Sequence, residues 1–118
     1  MLYTEELLEH YRNPQNFKSL QNPTHQITLQ NPLCGDVITL YLRANGDIVQ
    51  EASFVGKGCA ISTASASLMT KYFKGKSLAM LRKMDNKSTM KIVGIDVSPG
   101  RLKCLLLPFE AFKKALSK

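Results

Sequence analysis

The sequence has no tryptophan and only three cysteines. An odd cysteine count without a secretion signal gives no basis for a disulfide framework. Metal binding, thiol chemistry and plain burial remain as readings. Acidic residues are also scarce: 9 Asp and Glu stand against 16 Lys and Arg, a net charge of +7. No apolar run approaches the roughly 20 residues that a membrane span needs. The N-terminus lacks the hydrophobic region of a signal peptide, so a cytoplasmic protein with no membrane partner is expected. Internal repeats, linkers and low-complexity tracts are absent, as are a P-loop, a dinucleotide fingerprint and any Ser-His-Asp pattern. There is no nucleic-acid motif or basic–aromatic array, so nucleic acid is not the expected partner. The excess charge reads first as a solvated basic surface and next as a match for an acidic protein.

What is present suits one ordinary domain over residues 1–118, with 44% apolar residues to build a core. Thr4 can cap a first helix, with Glu5 and Glu6 in its first turn and Leu7, Leu8 and Tyr11 as its stripe. Pro14 stops it near Asn13, and the polar stretch 15–23 reads as a surface loop. From Gln26 the period changes to two. Strands are expected near Gln26–Asn31, Val37–Arg43 and Ile48–Val55. Asn45-Gly46 is the hairpin turn between the last two, and Ile48, Ala52 and Phe54 share one face. The pattern becomes helical after Cys59, with Ile61, Ala64, Ser65, Leu68, Met69 and Tyr72 on one stripe and Gly75 as terminator. Ser77 caps a short helix ending near Asp85-Asn86, and Met90–Val97 reads as another short helix. In the last segment, 101–117, Pro108 either opens a helix as its first residue or interrupts one that starts near Arg101. The fold class is therefore α+β: a three-stranded antiparallel meander packed against helices, with a helix at each end.

Gly58-Cys59-Ala60-Ile61-Ser62 places a thiol at a helix N-terminus, where unpaired backbone N–H groups and the macrodipole favour a thiolate. Cys34 and Asp36 lie in the loop between the first two strands. The second hairpin returns the end of its third strand to the start of its second, so Cys59 should lie beside them. Cys104, 45 residues beyond Cys59, is not placed by pattern. Three thiolates and a carboxylate would make a four-coordinate site for Zn²⁺, and iron–sulfur clusters are also held by thiolates. Cysteine is also among the most buried residue types, so each one alone reads equally as a small core residue. His10 and His25 read as surface or interface residues rather than ligands.

Four stretches taken in order resemble the iron–sulfur scaffold family, the group of IscU, SufU and the NifU N-terminal domain. His10-Tyr11-Arg12-Asn13-Pro14-Gln15-Asn16 resembles its HY-x-NP-x-N signature, and Asn31-Pro32-Leu33-Cys34-Gly35-Asp36 its NP-x-CGD. Residues 56–67 resemble its G-x-GCAIS-x-AS-x-S, and Arg101-Leu102-Lys103-Cys104 the approach to its third cysteine. The resemblance implies a SufE/NifU-like fold and one site made of Cys34, Asp36, Cys59 and Cys104, holding Zn²⁺ or a [2Fe–2S] cluster. It implies a scaffold rather than an enzyme proper. Sulfur would come from a cysteine desulfurase, with Cys104 as the acceptor in a scaffold and Cys34 in a sulfurtransferase, and a scaffold's cluster would pass to recipient apo-iron–sulfur proteins. The alternative it implies is a zinc-dependent sulfurtransferase, in which Arg101 pairs with Asp36 or with a released thiolate. The first helix and the His10–Asn16 segment resemble the desulfurase-docking region. Lys103 stands where housekeeping IscU-type scaffolds carry a His, and 96–103 stands where they carry the chaperone-binding LPPVK. Arg101 resembles the SufU type, without that type's longer spacer between the second and third cysteines.

Overall fold

The computed structural model describes residues 5–31, 35–93 and 102–116. The element order is α1 (Glu5–Arg12), β1 (His25–Asn31), β2 (Asp36–Asn45), β3 (Ile48–Lys57), α2 (Ala60–Phe73), α3 (Leu78–Arg82), α4 (Asn86–Val93) and α5 (Leu102–Leu116). The strands form one antiparallel sheet in the order β1-β2-β3. Ile38, Leu40 and Leu42 alternate inward along β2, the period-2 pattern of a strand with one covered face. Helices α2 and α5 pack together and against the sheet, and α1 packs on α2. At the centre of the core Phe73 of α2 stacks on Phe112 of α5, with ring centroids 3.9 Å apart and planes 19° from parallel.

Several boundaries differ from those expected. The second hairpin pairs Asn45 with Ile48, so its turn is Gly46-Asp47, with positive φ at Gly46 (62°) and not at Asn45. The register slips between Arg43 and Ala44, which leaves Gln50 without a partner across the strand. One extra residue turns the side chains before it to the other face. Val49 rather than Ile48 therefore joins Ala52 and Phe54 in the core, and Ile48 is 46% exposed. Helix α3 ends at Arg82, and α4 begins at Asn86 rather than Met90. The Asp85 carboxylate starts α4 by accepting from the Ser88 N–H at 2.9 Å. Helix α5 runs from Leu102 through Pro108, which matches the interrupted-helix alternative. Pro108 cannot donate to the Cys104 carbonyl four residues back. The Ser65 hydroxyl of α2 donates to the next carbonyl along, that of Leu105, at 2.7 Å. The expected Thr4 cap lies outside the described residues. No described helix is long and apolar enough to cross a membrane.

The stretch after α1 is more than a surface loop. Asn16 takes a left-handed φ of 61°. Its carbonyl accepts from Phe54 N, and Phe54 O accepts from Lys18 N, so the stretch pairs with the outer edge of β3. An otherwise open sheet edge is thereby covered. His10 is buried, contrary to the surface placement expected for it, because Nδ1 lies 2.6 Å from Ser67 Oγ of α2. The Gln15 N–H donates to the same Ser67 Oγ, and Asn16 Nδ2 donates to Thr70 Oγ1.

Candidate metal and thiol centre

The β2–β3 ladder ends at the pair Val37 and Lys57. Asp36 stands one residue before it and Gly58-Cys59 just after, so the ladder's end brings carboxylate and thiol together as the hairpin reading expects. Asp36 Oδ1 accepts the Cys59 N–H at 3.2 Å. The approach is close: a Cβ on Gly58 would stand 3.2 Å from the Ser62 side chain and 3.4 Å from Asp36 Cγ. Cys59 is the N-cap of α2, and its Sγ accepts the Ser62 N–H at 3.5 Å. The thiol thus occupies the N-terminus proposed for it from sequence.

Cys104 arrives from the other side, in the first turn of α5. The Oδ atom of Asp36 and the Sγ atoms of Cys59 and Cys104 all lie within 4.8 Å of one another. Among the described residues this is the group of ligand-type side chains within reach of one ion. Asp36 is 5% and Cys104 3% exposed, while Cys59 is half-buried. Asp36 Oδ2 is buried and accepts no hydrogen bond among the described residues. A buried carboxylate oxygen with no donor is costly, and a cation is one of the few partners that removes the cost. Donors around a tetrahedral zinc stand about 3.3–3.8 Å apart. A contraction of about 1 Å, within side-chain rotation, closes this group on an ion. Two thiols with one carboxylate suit Zn²⁺ or an iron–sulfur cluster.

The other residues singled out in the sequence divide three ways. Cys34 and Arg101 lie outside the described residues. His10 is held by Ser67, and His25 opens β1, paired with Leu42 at the far end of β2 from Asp36. Neither joins the group. In the His10–Asn16 segment the polar residues His10 and Asn16 turn inward, whereas Tyr11 and the neighbouring Phe17 remain exposed. Sequence reasoning placed Ser65 on the packed stripe but missed the work of its hydroxyl and of those of Ser67 and Thr70, which fix α5, α1 and the following loop to α2. Their signal was present as a run of small polar residues on an otherwise apolar helix.

Gly56 keeps the ladder intact. A Cβ there would collide with the Val37 carbonyl across the strand pair, and φ is 156°. Gly56→Ala should therefore cost about 1–3 kcal/mol, the usual range for overpacking. It should also separate Asp36 from Cys59. Chemical denaturation together with Cys59 alkylation rates checks both parts, and unchanged stability would show that the strands can part here freely.

Residues 2–118 match the NifU-like N terminal domain family. Among relatives, the chain is 35% identical to the zinc-dependent sulfurtransferase SufU of Bacillus subtilis (strain 168), over 99% of this chain and 90% of that one. That alignment spans 134 positions, more than the 118 residues here, so SufU carries residues that this chain lacks. It is 32% identical to the iron–sulfur cluster assembly scaffold protein IscU of Escherichia coli (strain K12), over 99% and 93% of the two chains. Among solved structures, a Fervidobacterium islandicum AW-1 protein superposes with a TM-score of 0.81 at 27% identity, covering 97% and 96% of the two chains. That protein is provisionally assigned as an iron–sulfur cluster assembly scaffold for the SUF system. The N-terminal part of a NifU-like protein from Brucella abortus shares the fold at 24% identity, with a TM-score of 0.79 over 98% and 92% of the two chains.

Proposed function

Because the chain belongs to the NifU-like N-terminal domain family, we propose that it is an iron–sulfur cluster assembly scaffold. In this role it accepts sulfur from a cysteine desulfurase and carries a [2Fe–2S] cluster, its cargo, to apo-proteins. The observation that carries this reading is the buried Asp36 Oδ2, without a donor among the described residues, beside the thiols of Cys59 and Cys104. Cys34, two residues before Asp36, completes the ligand set.

The four residues divide the work. Cys59 is the fixed corner, since α2 begins on it and its N–H orients Asp36. Asp36 is the exchangeable ligand: a hard carboxylate holds soft metals less firmly than a thiolate does. Cys34 is the first sulfur acceptor, because Cys104 is too buried to meet a partner unless the first turn of α5 moves. The Cys34 thiolate attacks the outer sulfur of the donor's persulfide. The donor's S–S bond breaks, its cysteine leaves as a thiolate, and Cys34 carries the persulfide. Arg101 pairs with Asp36 or with whichever thiolate is released. Exposed Tyr11 and Phe17 offer the desulfurase an aromatic contact.

The 35% identity to a zinc-dependent sulfurtransferase favours a second reading. There, bound Zn²⁺ would keep the thiols deprotonated, and Cys34 would accept sulfur for delivery without cluster assembly. Sulfur transfer from the host's desulfurase to zinc-loaded and iron-loaded protein tests both. Cys34→Ser should abolish sulfur acceptance, while Cys104→Ser should lose metal and retain acceptance in the scaffold reading but lose both in the zinc-dependent one. Metal content far below one equivalent in gently purified protein would sink both readings.

A further inference from the structure

Charge is concentrated at the end of the molecule away from the thiols. Residues 71–93 hold seven of the 16 Lys and Arg but only one of the 9 Asp and Glu, which accounts for six of the seven net positive charges. This stretch is the end of α2 with α3 and α4. There a surface hollow of about 410 Å³ opens, floored by Tyr72, Met80, Met84 and Ile92 and rimmed by Lys83 and Lys91. Met80 is 40% exposed. Lys76 sits over the Tyr72 ring, 4.9 Å from its centroid. Among the described residues, no acidic one lines the hollow. The nearby Asp85 carboxylate is engaged by the Ser88 N–H. Methionine side chains adapt to varied apolar partners. The complement of an apolar floor inside a lysine rim is an amphipathic helix with acidic flanks.

We propose that this hollow docks an acidic amphipathic helix of a protein partner. Its position gives the docking a use. Tyr72 lies 13 residues along α2 from Cys59, about 20 Å at the helical rise. A partner held here leaves the thiol end open, so one protein can be retained while another reaches the cysteines. The surface does not depend on which metal the thiols hold.

Methionine-methyl NMR of the full chain tests the proposal. The probe is a synthetic peptide of about 18 residues, long enough to be helical, with leucines on one face and glutamates on the other. The Met80 and Met84 methyl signals should shift on titration, while Met69, 1% exposed in the core, should not. A Lys83→Glu/Lys91→Glu variant should bind about tenfold more weakly or worse, and added salt should weaken binding in the parent. Asp36→Asn should leave binding unchanged. No shift at Met80 and Met84, or equal binding by the charge-reversed variant, would overturn the proposal. So would a single-stranded DNA oligonucleotide that moves the same signals at lower concentration, which would assign the surface to nucleic acid.

Discussion

An Asp36→Asn chain should retain zinc more weakly, by more than the roughly 10–100-fold that loss of a mere supporting residue costs a metal site. A [2Fe–2S] cluster assembled on the same variant should persist longer and transfer more slowly. The two directions separate the scaffold from the sulfurtransferase. In a scaffold, Asp36 is the weak point through which cargo leaves, so sulfur acceptance survives and release suffers. In a zinc-dependent transferase, sulfur acceptance falls along with zinc. Asparagine is the right substitution because Asp36 has two separate tasks. Its Oδ1 accepts the Cys59 N–H, which an asparagine carbonyl can still do. Its Oδ2 is the free ligand atom, and an amide nitrogen in its place offers only protons. Asp36→Ala removes both and adds the cost of an unsatisfied N–H, about 1–3 kcal/mol. Zinc content, cluster decay in the presence of an apo-acceptor, and denaturation of both variants supply the comparison. If neither metal retention nor sulfur acceptance changes in either variant, the assignment of the site is wrong.

Phe112→Ala should be the most destabilising single truncation in the core, costing about 3–5 kcal/mol. Phe112 is fully buried and stacks on the fully buried Phe73. Its removal leaves a cavity between α2 and α5 that neither helix can fill without giving up contacts with the sheet. For a domain of this size the loss corresponds to a fall of about 10–20 °C in Tm. Phe112→Leu keeps most of the volume and should cost much less. Thermal unfolding of both variants is the direct measurement, and a loss below about 1 kcal/mol for the alanine variant would mean that the interface repacks. There is also a consequence at the site. Helix α5 carries Cys104, so loosening the far end of that helix should speed alkylation of a thiol that is almost fully buried in the parent.

The fold was legible wherever a local pattern also decided the packing. The alternation of Ile38, Leu40 and Leu42 survives in the structure because β2 has a single covered face, and the stripe from Ile61 to Met69 is buried as read, although α2 is covered on nearly every side by α1, α5 and the sheet. The pairing of Asp36 with Cys59 was legible for the same reason, since an antiparallel hairpin returns its end to its start. The failures are tertiary. The bulge at Gln50 has no composition signal, yet it exchanges Ile48 for Val49 in the core. His10 looked like a surface residue because nothing local says that Ser67, 57 residues away, will meet its ring. Cys104 reached the site only through resemblance, because the docking of α5 depends on the whole core rather than on any spacing. That Asp36 Oδ2 has no donor among the described residues is beyond any one-dimensional reading.

The three described site residues differ in how much chain must close to bring them together. Asp36 and Cys59 belong to one hairpin, 23 residues apart, and the loop that joins them closes at the smaller entropic cost. Cys104 lies 45 residues beyond Cys59, with α3 and α4 between them, and it joins the group only where α5 is docked. Closing the larger loop costs more chain entropy, though the cost grows slowly with length. An ion that grips all three therefore ties the C-terminal helix to the hairpin and stabilises the native chain by mass action. Occupancy of the centre then becomes a measure of completed folding. A chain whose final helix has not seated presents two ligands instead of three from this group, so it binds metal poorly and is a poor vessel for a cluster.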